Sequence, residues 1–412
     1  MIELAEARRR LLAACPVLEP ARLHVDDAAG CVLAADVTAA TAVPPFDNSS
    51  VDGFAVRAAD VRGATPDRPV ELAVLGSVLA GSVADAPVTP GTTWKVMTGA
   101  PLPAGADAVV MVEDSSAEQG DPRSLPGDRV RLFAAPRPGT GVRLAGSDVT
   151  DGALVLAAGT VLRPAHLGVL ASVGVRQVPV YPRPRVGVLV TGDELASAGQ
   201  PLEPGQIYES NRAMLMALVR RVGCEPVDLG IARDDRVALR SRLAGAVAEC
   251  DVVLTCGGVS MGDADPVKAV LADLGRLNWL QVAIRPAKPF AFGVLDGPTL
   301  LMGLPGNPVS SLVSFELLAA PALRHLAGQR EPFARPIKAI LDADLPPARD
   351  DGRTGYLRVM AEFGPDGRLH ARPVDRQDSH QLSASAAANG LAEVPPGASP
   401  RSGEELPVLL LS

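Results

Sequence analysis

The stretch DVVLTCGGVSMGDADPVK, Asp251–Lys268, sets a short apolar run against two glycines, then an acidic segment against Pro266 and Lys268. Asp251–Thr255 predicts a buried strand, Gly257–Gly258 a tight turn, and Asp265–Pro266 a helix start. A glycine turn between a buried strand and a helix is where α/β proteins hold anionic ligands. The same rhythm recurs on both sides. VGVLVTGDEL (186–195) is a continuous apolar strand ending in a polar loop, and RAMLMALVRRVG (212–223) has helical periodicity and a glycine stop. EPVDLG (225–230) is a second strand, followed by DDRVALRSRLAGAVAEC (234–250), a helix opened by two acids. GPTLLMGLPGN (297–307) is a further strand, and the helix after it has Asn307 at the N-cap and Pro308 at its first position. Together these predict a doubly wound sheet with helices on both faces.

Ligands of such sheets bind outside the carboxyl ends of the strands, so the residues that follow each strand form a functional census. They are Asp193 and Glu194; Asp234 and Asp235; Gly257, Gly258, Ser260, Asp263 and Asp265; Arg285 and Lys288 of RPAKP; and Gly306, Asn307, Ser310 and Ser311. Glycines admit phosphate to backbone N–H groups, helix starts add partial positive charge, and carboxylates beside phosphate suit Mg²⁺. The composite points to a phosphorylated, nucleotide-like ligand with a divalent metal. Each loop also has a plainer reading: Asp265 and Asn307 as helix caps, Asp234 and Asp235 as complements of a helix dipole.

The rest of the chain bounds this picture. At 412 residues it is too long for one ordinary core, and two to four domains are expected. A net charge of −8, no basic cluster and 3% aromatic residues argue against nucleic acid. Lysine occurs only at Lys95, Lys268, Lys288 and Lys338. The five cysteines are scattered with no metal-ligand spacing, no apolar run approaches the ~18 residues of a membrane span, and Arg8-Arg9-Arg10 stands where a signal peptide would be apolar. A reduced, cytoplasmic protein is expected. Upstream, VELAVLG, TTWKVMTG, DAVVMVED and DRVRLFAA alternate with Pro/Gly turns as in an all-β unit, and PVYPRPR (179–185) resembles a linker. After Gly328, IKAILDADL, GYLRVMAEF and RLHARPV predict a small barrel-like domain. The expected division is 1–43 with 142–179 (N-terminal helices and linker), 44–141 (β-rich), 180–329 (α/β) and 330–412 (β).

Two upstream stretches, PPFDNSSVDGFAVRA (44–58) and TGAPLPAGADAVVMVED (98–114), are turn chemistry when read alone, with Asp52–Gly53 as a hairpin turn. With GSD (146–148), VLVTGDEL, IYESNRAML, IARDD, GGVSMGDADPVK, VAIRPAKPFAFG, GLPGNPVSSLVSFE and QDSHQLSASAAANGL, they make the chain resemble the molybdopterin molybdenumtransferase family, MoeA. The E domain of gephyrin is its eukaryotic relative. The GGVSxGDxD and GLPGNPVS motifs also occur in other molybdopterin-binding proteins; the upstream motifs mark the transferase type. The resemblance implies insertion of molybdenum from molybdate into adenylylated molybdopterin, with Mg²⁺ and release of AMP. It also implies an elongated homodimer whose site joins the α/β domain of one subunit to the upstream β domain of the other. A molybdopterin-adenylylating protein and apo-molybdoenzymes are the implied partners.

By the same resemblance Asp52, Thr98, Asp148, Glu194, Asp234 and Asp265 line the site, with Glu194 and Asp265 as the metal ligands. Gly257, Gly258, Ser260, Lys268, Gly306 and Asn307 face the pterin phosphate and AMP, while Arg285, Lys288, Ser310, Arg358 and Ser379 resemble an oxyanion pocket. Several positions depart from the family pattern: SSVDGF stands for the usual SAMDGY, so Phe54 replaces a tyrosine; Ala287 replaces a glycine, Arg285 a common lysine, and Gln281 a lysine found in some members. A gephyrin-like scaffold, a tungstate-inserting paralogue and an unrelated nucleotide-binding α/β enzyme are the alternatives; the intact Asp52, Glu194, Asp265, Lys288 and Ser379 favour the insertase.

Overall fold

The computed structural model describes residues 1–117, 127–233, 235–258, 270, 273, 275–295 and 298–411. The chain forms two compact units, one of residues 22–29 and 35–178, the other of 1–21, 30–34 and 179–412. Helix α1 (Leu4–Ala14) belongs to the second, where Ala7, Leu11 and Cys15 enter the main core.

The first unit is built on strands β1 (Gly53–Val56), β2 (Val70–Val78), β3 (Thr92–Val96), β4 (Ala108–Met111) and β5 (Arg129–Leu132), in the order β4-β1-β3-β2-β5. Only β2 and β3 run parallel. All four residues of β1 are buried because both faces of the sheet are covered: Phe54 and Val56 join Leu72, Val110 and Leu132, whereas Ala55 joins Trp94, Val96 and Val109. Phe54 is wholly buried among apolar side chains. A phenol hydroxyl in such surroundings needs a hydrogen-bond partner, and phenylalanine does not. Helix α2 (Pro164–Ser172) completes the unit.

In the second unit the α/β rhythm gives β6 (Arg185–Thr191), α3 (Asn211–Arg221), β7 (Glu225–Ala232), α4 (Arg236–Glu249) and β8 (Val252–Cys256). Then follow β9 (Gly275–Gln281), β10 (Ile284–Arg285), β11 (Pro289–Leu295), β12 (Leu300–Leu304) and α5 (Pro308–Ser314), which runs through a π turn at Phe315–Ala319 into α6 (Ala320–Leu326). The six-stranded order is β7-β6-β8-β12-β11-β9. β7, β6, β8 and β12 are parallel; β11 and β9 are antiparallel. Alternate residues face opposite layers, as strand geometry requires. Val188, Val190, Val252 and Leu254 pack with α3 and α5, while Leu189, Val253 and Leu301 pack with α4. The antiparallel pair is the departure from the expected sheet: GRLNWLQ alternates polar and apolar residues because β9 is an edge strand, and it lacks the apolar run of its parallel neighbours.

Strands β13 (Ile337–Leu341), β14 (Thr354–Phe363), β15 (Leu369–Pro373), β16 (Gly390–Val394) and β17 (Glu405–Leu410) close into a five-stranded barrel, with the short helix α7 (Leu382–Ala386) before β16. The circuit β14-β15-β13-β17-β16 returns to β14. β10 joins its rim, running parallel to β14 with Arg285 opposite Gly355. PVY of the expected linker is strand, within Gln177–Tyr181. No helix among the described residues is long and apolar enough to cross a membrane.

Candidate functional site

The carboxyl ends of β6, β8 and β12 open onto a cleft of about 730 Å³, hereafter the glycine cleft, lined by Thr191, Glu194, Gly257, Gly258, Gly306 and Asn307 among others. The turn after β8 must be glycine. Gly257 has φ +100°, and a Cβ there would lie 2.7 Å from Thr191 Oγ1 and 2.9 Å from its carbonyl oxygen. Gly192 has φ +153°, and the nearest group a Cβ there would meet is the Glu194 carboxylate, an exposed side-chain end that can move aside. Glu194 is exposed on the rim, and its carboxylate has no hydrogen-bond or ion-pair partner among the described residues. An unpaired carboxylate beside backbone amides suits a Mg²⁺ ion, which takes one or two carboxylates along with phosphate oxygens.

Asn211, inside IYESNRAML, was not singled out from sequence, yet it ties α3 to this cleft. Its Nδ2 donates to the Gly306 carbonyl at 2.7 Å, and its Oδ1 is buried without a partner among the described residues. Glu209 caps α3 by accepting from the Arg212 amide at 2.6 Å. Asn307 occupies the N-cap position of α5, as expected, but its side chain does not cap; it donates instead towards Ser379 Oγ at 3.4 Å. Beneath the cleft, burial pushes the Cys256 thiol up to about 12, so it stays protonated while contacting the Pro305 carbonyl at 3.2 Å.

A second cleft, of about 520 Å³, hereafter the cationic cleft, brings together Arg285, Lys288, Ser310 and Ser379. Arg349, Arg353, Gln377 and Asp378 line it too. Sequence reasoning missed the two extra arginines, because RDDGRTG (349–355) is a turn-rich segment without periodicity. Lys288 is half-buried and has no ion-pair partner among the described residues. Burial and the nearby Arg353 lower the Arg285 pKa, and the Arg353 guanidinium holds the Asp351 carboxyl below the usual carboxylate range. Between β10 and β11, Ala287 has φ +79°, the one non-glycine in the left-handed region among the described residues. A glycine at this place relieves a cost of about 1–2 kcal/mol, which is a physical reason for the family's preference.

The two clefts share a wall. Asn307 and Pro308 face the glycine cleft while Ser310 faces the cationic one, and His380 and Ser379 divide in the same way. The Val309 amide donates to the Ser379 carbonyl at 3.2 Å. Arg358, expected in the oxyanion pocket, is not among the lining residues. It is 1% exposed, and its guanidinium donates to the carbonyls of Arg376 (2.6 Å), Gln381 (2.9 Å) and Asp378 (3.3 Å) and to Ser385 Oγ (3.3 Å). It organises the loop that carries Ser379.

Asp52, Thr98 and Asp148 lie in the first unit. Asp52 Oδ1 accepts from both the amide and hydroxyl of Thr98 at 2.7 Å, which holds its pKa below the ordinary value. Asp148 is exposed, with its amide donating to the Val43 carbonyl at 3.0 Å. Asp234, Ser260, Asp265 and Lys268 lie outside the described residues.

Family models match along the chain: the MoeA N-terminal region (domains I and II) over residues 2–174, a probable molybdopterin-binding domain over 187–325, and the MoeA C-terminal region (domain IV) over 338–411. The chain is 36% identical over 385 residues to molybdopterin molybdenumtransferase of Haemophilus influenzae, covering 93% of this chain and 92% of that protein. It is 39% identical over 383 residues to molybdopterin molybdenumtransferase 2 of Mycobacterium tuberculosis, covering 91% of each. The crystal structure of the molybdopterin biosynthesis MoeA protein of Pyrococcus horikoshii superposes with a TM-score of 0.81 at 31% identity, covering 100% of this chain and 99% of that one. With three family models in sequence and relatives matched over nearly their full length, the chain belongs to the MoeA family of molybdopterin molybdenumtransferases, enzymes of molybdenum cofactor biosynthesis.

Proposed function

We propose that this enzyme transfers molybdenum from molybdate into adenylylated molybdopterin, with Mg²⁺-dependent release of AMP, and that it works as a cytoplasmic homodimer. The observation that carries the reading is the pair of clefts with a common wall, one lined by glycines and a free carboxylate, the other by cations and hydroxyls. In this reading the glycine cleft takes the phosphates of the pterin substrate. The Gly257 N–H is held by the Leu304 carbonyl at 3.1 Å, so it is the Gly258 N–H that reaches the phosphate oxygens, and the Asn211 Oδ1 accepts from a donor on the ligand. Mg²⁺, bound by Glu194 with Asp265 as second carboxylate, would neutralise charge on the phosphoanhydride.

Molybdate, a tetrahedral dianion, is the substrate of the cationic cleft. Lys288 and Arg285 supply charge, and Ser310 and Ser379 supply hydroxyl donors, an arrangement that favours charge-assisted bonds. The approach of Asn307 Nδ2 to Ser379 Oγ at 3.4 Å supports a reading in which the oxyanion's protein ligands adjoin the pterin cleft. The test is incubation of the protein with adenylylated molybdopterin, Mg²⁺ and either molybdate or tungstate, following AMP by chromatography. The reading expects AMP release that requires both oxyanion and Mg²⁺. Binding of the pterin substrate with no oxyanion-dependent AMP release would contradict it.

A further inference from the structure

Arg285 and Arg353 converge on one carboxylate oxygen. Arg353 donates to Asp351 Oδ2 through Nε at 3.0 Å and Nη2 at 2.5 Å, and Arg285 donates to the same oxygen through Nη2. The fold enforces this meeting. β10 lies alongside the start of β14, with the Thr354 amide donating to the Ala283 carbonyl at 3.0 Å, so the turn carrying Asp351 and Arg353 is brought against Arg285. All three side chains are partly buried, at 28% exposure for Arg285, 33% for Asp351 and 23% for Arg353. A carboxylate therefore already occupies guanidinium donors in a cleft suited to a dianion.

We propose that Asp351 is a built-in counter-anion that competes with the oxyanion for Arg285 and Arg353 and so sets the affinity of the cationic cleft. This rests on the reading of that cleft as the oxyanion site. Asp351 does not itself line the cleft; through its pairs with Arg285 and Arg353 it offsets repulsion among Arg285, Lys288, Arg349 and Arg353, and Asp378 is the acid among the described lining residues. When a tetrahedral dianion enters, Arg285 and Arg353 share their donors with it at the expense of Asp351. The competition is one of charge, so it weakens every tetrahedral dianion alike. An asparagine at 351 keeps the shape and removes the charge.

The experiment is a calorimetric titration of the full-length protein at low ionic strength with sodium molybdate and, separately, sodium sulfate. It compares wild type with Asp351→Asn, Asp351→Glu and Lys288→Ala, alongside melting temperatures without ligand. Asp351→Asn is expected to bind both dianions roughly two- to fivefold more tightly, the scale of one partly exposed charge. The same variant is expected to melt lower when ligand-free, and Asp351→Glu to restore wild-type behaviour in both measurements. Unchanged or weaker binding by a folded Asp351→Asn overturns the inference and makes Asp351 an organiser of the arginines. If wild type binds neither anion, or binds them equally well after Lys288→Ala, the oxyanion reading of the cleft fails and the competition falls with it.

Discussion

Lys288 concentrates the chemistry of the cationic cleft in one side chain. It is one of four lysines in an arginine-rich chain, it is half-buried, and no described acid pairs with it. An ammonium donates from a compact charge where a guanidinium fork demands planar acceptors, so a tetrahedral oxyanion suits it. Lys288→Ala should raise the molybdate concentration for half-maximal AMP release by about ten- to a hundredfold, the loss of a charge-assisted bond worth roughly 1.5–3 kcal/mol. Binding of the adenylylated pterin should change less. A molybdate titration at saturating pterin substrate checks this, and a weakened pterin affinity with an unchanged molybdate dependence would move Lys288 to the phosphate site. The residue scale was the most legible in sequence where a motif names its residues: Arg285 and Lys288 of one segment, Ser310 of a second and Ser379 of a third line one cleft. Asp351 and Arg353 were not legible, because only the pairing of β10 with β14 gives a turn acid its arginine partners.

Elements decide what those side chains can reach. Segment 376–385, which runs into α7, forms part of the wall between the clefts, and Arg358 holds it from inside in addition to its own turn hydrogen bonds. Removing the guanidinium takes the donor from the Arg376 carbonyl and one of two donors from the carbonyls of Asp378 and Gln381, so Arg358→Ala should cost about 1–3 kcal/mol in a denaturant titration. Arg358→Lys discriminates between roles. A loop organiser needs the several-pronged fork and should fail with lysine nearly as with alanine, whereas an oxyanion ligand acting by charge should be largely rescued. Limited proteolysis within 376–385 gives an independent reading of the loop.

On the barrel, His370 Nδ1 lies 2.7 Å from Asp342 Oδ1, and Nε2 lies 3.2 Å from Asp366. The bond to Asp342 first, and that to Asp366 second, raise the histidine above its ordinary value. A raised folded value means stability is fully present below the unfolded value, near ~6.5, and is lost as pH rises through the folded one. The melting-temperature advantage of wild type over His370→Gln should therefore shrink on going from acidic to alkaline pH; a constant or growing difference would contradict the assignment. Element identity was readable in the apolar runs of β6, β8 and β12, which are buried on both faces. It was less so for β9, β16 and β17, where the barrel closure and an antiparallel edge, both non-local, supply the pairing.

At the scale of the whole molecule, labour is divided within one compact unit. Parallel strands deliver glycine turns and an unpaired carboxylate to one cleft, and the junction of β10 with the barrel delivers cations to the other. The α/β order and the barrel runs were visible in the sequence because each is a local pattern. The shared wall was not, since it depends on Arg358 folding a loop back against the start of α5. What unites the observations is the claim that the cationic cleft holds the oxyanion next to the pterin site. The most direct test is anomalous diffraction at the molybdenum edge from crystals of the full-length protein soaked in molybdate. The account predicts an anomalous peak in the cationic cleft, within hydrogen-bond reach of Lys288, Ser310 and Ser379 and absent from Lys288→Ala crystals. A peak confined to the glycine cleft, or one in the cationic cleft unaffected by Lys288→Ala, would contradict it.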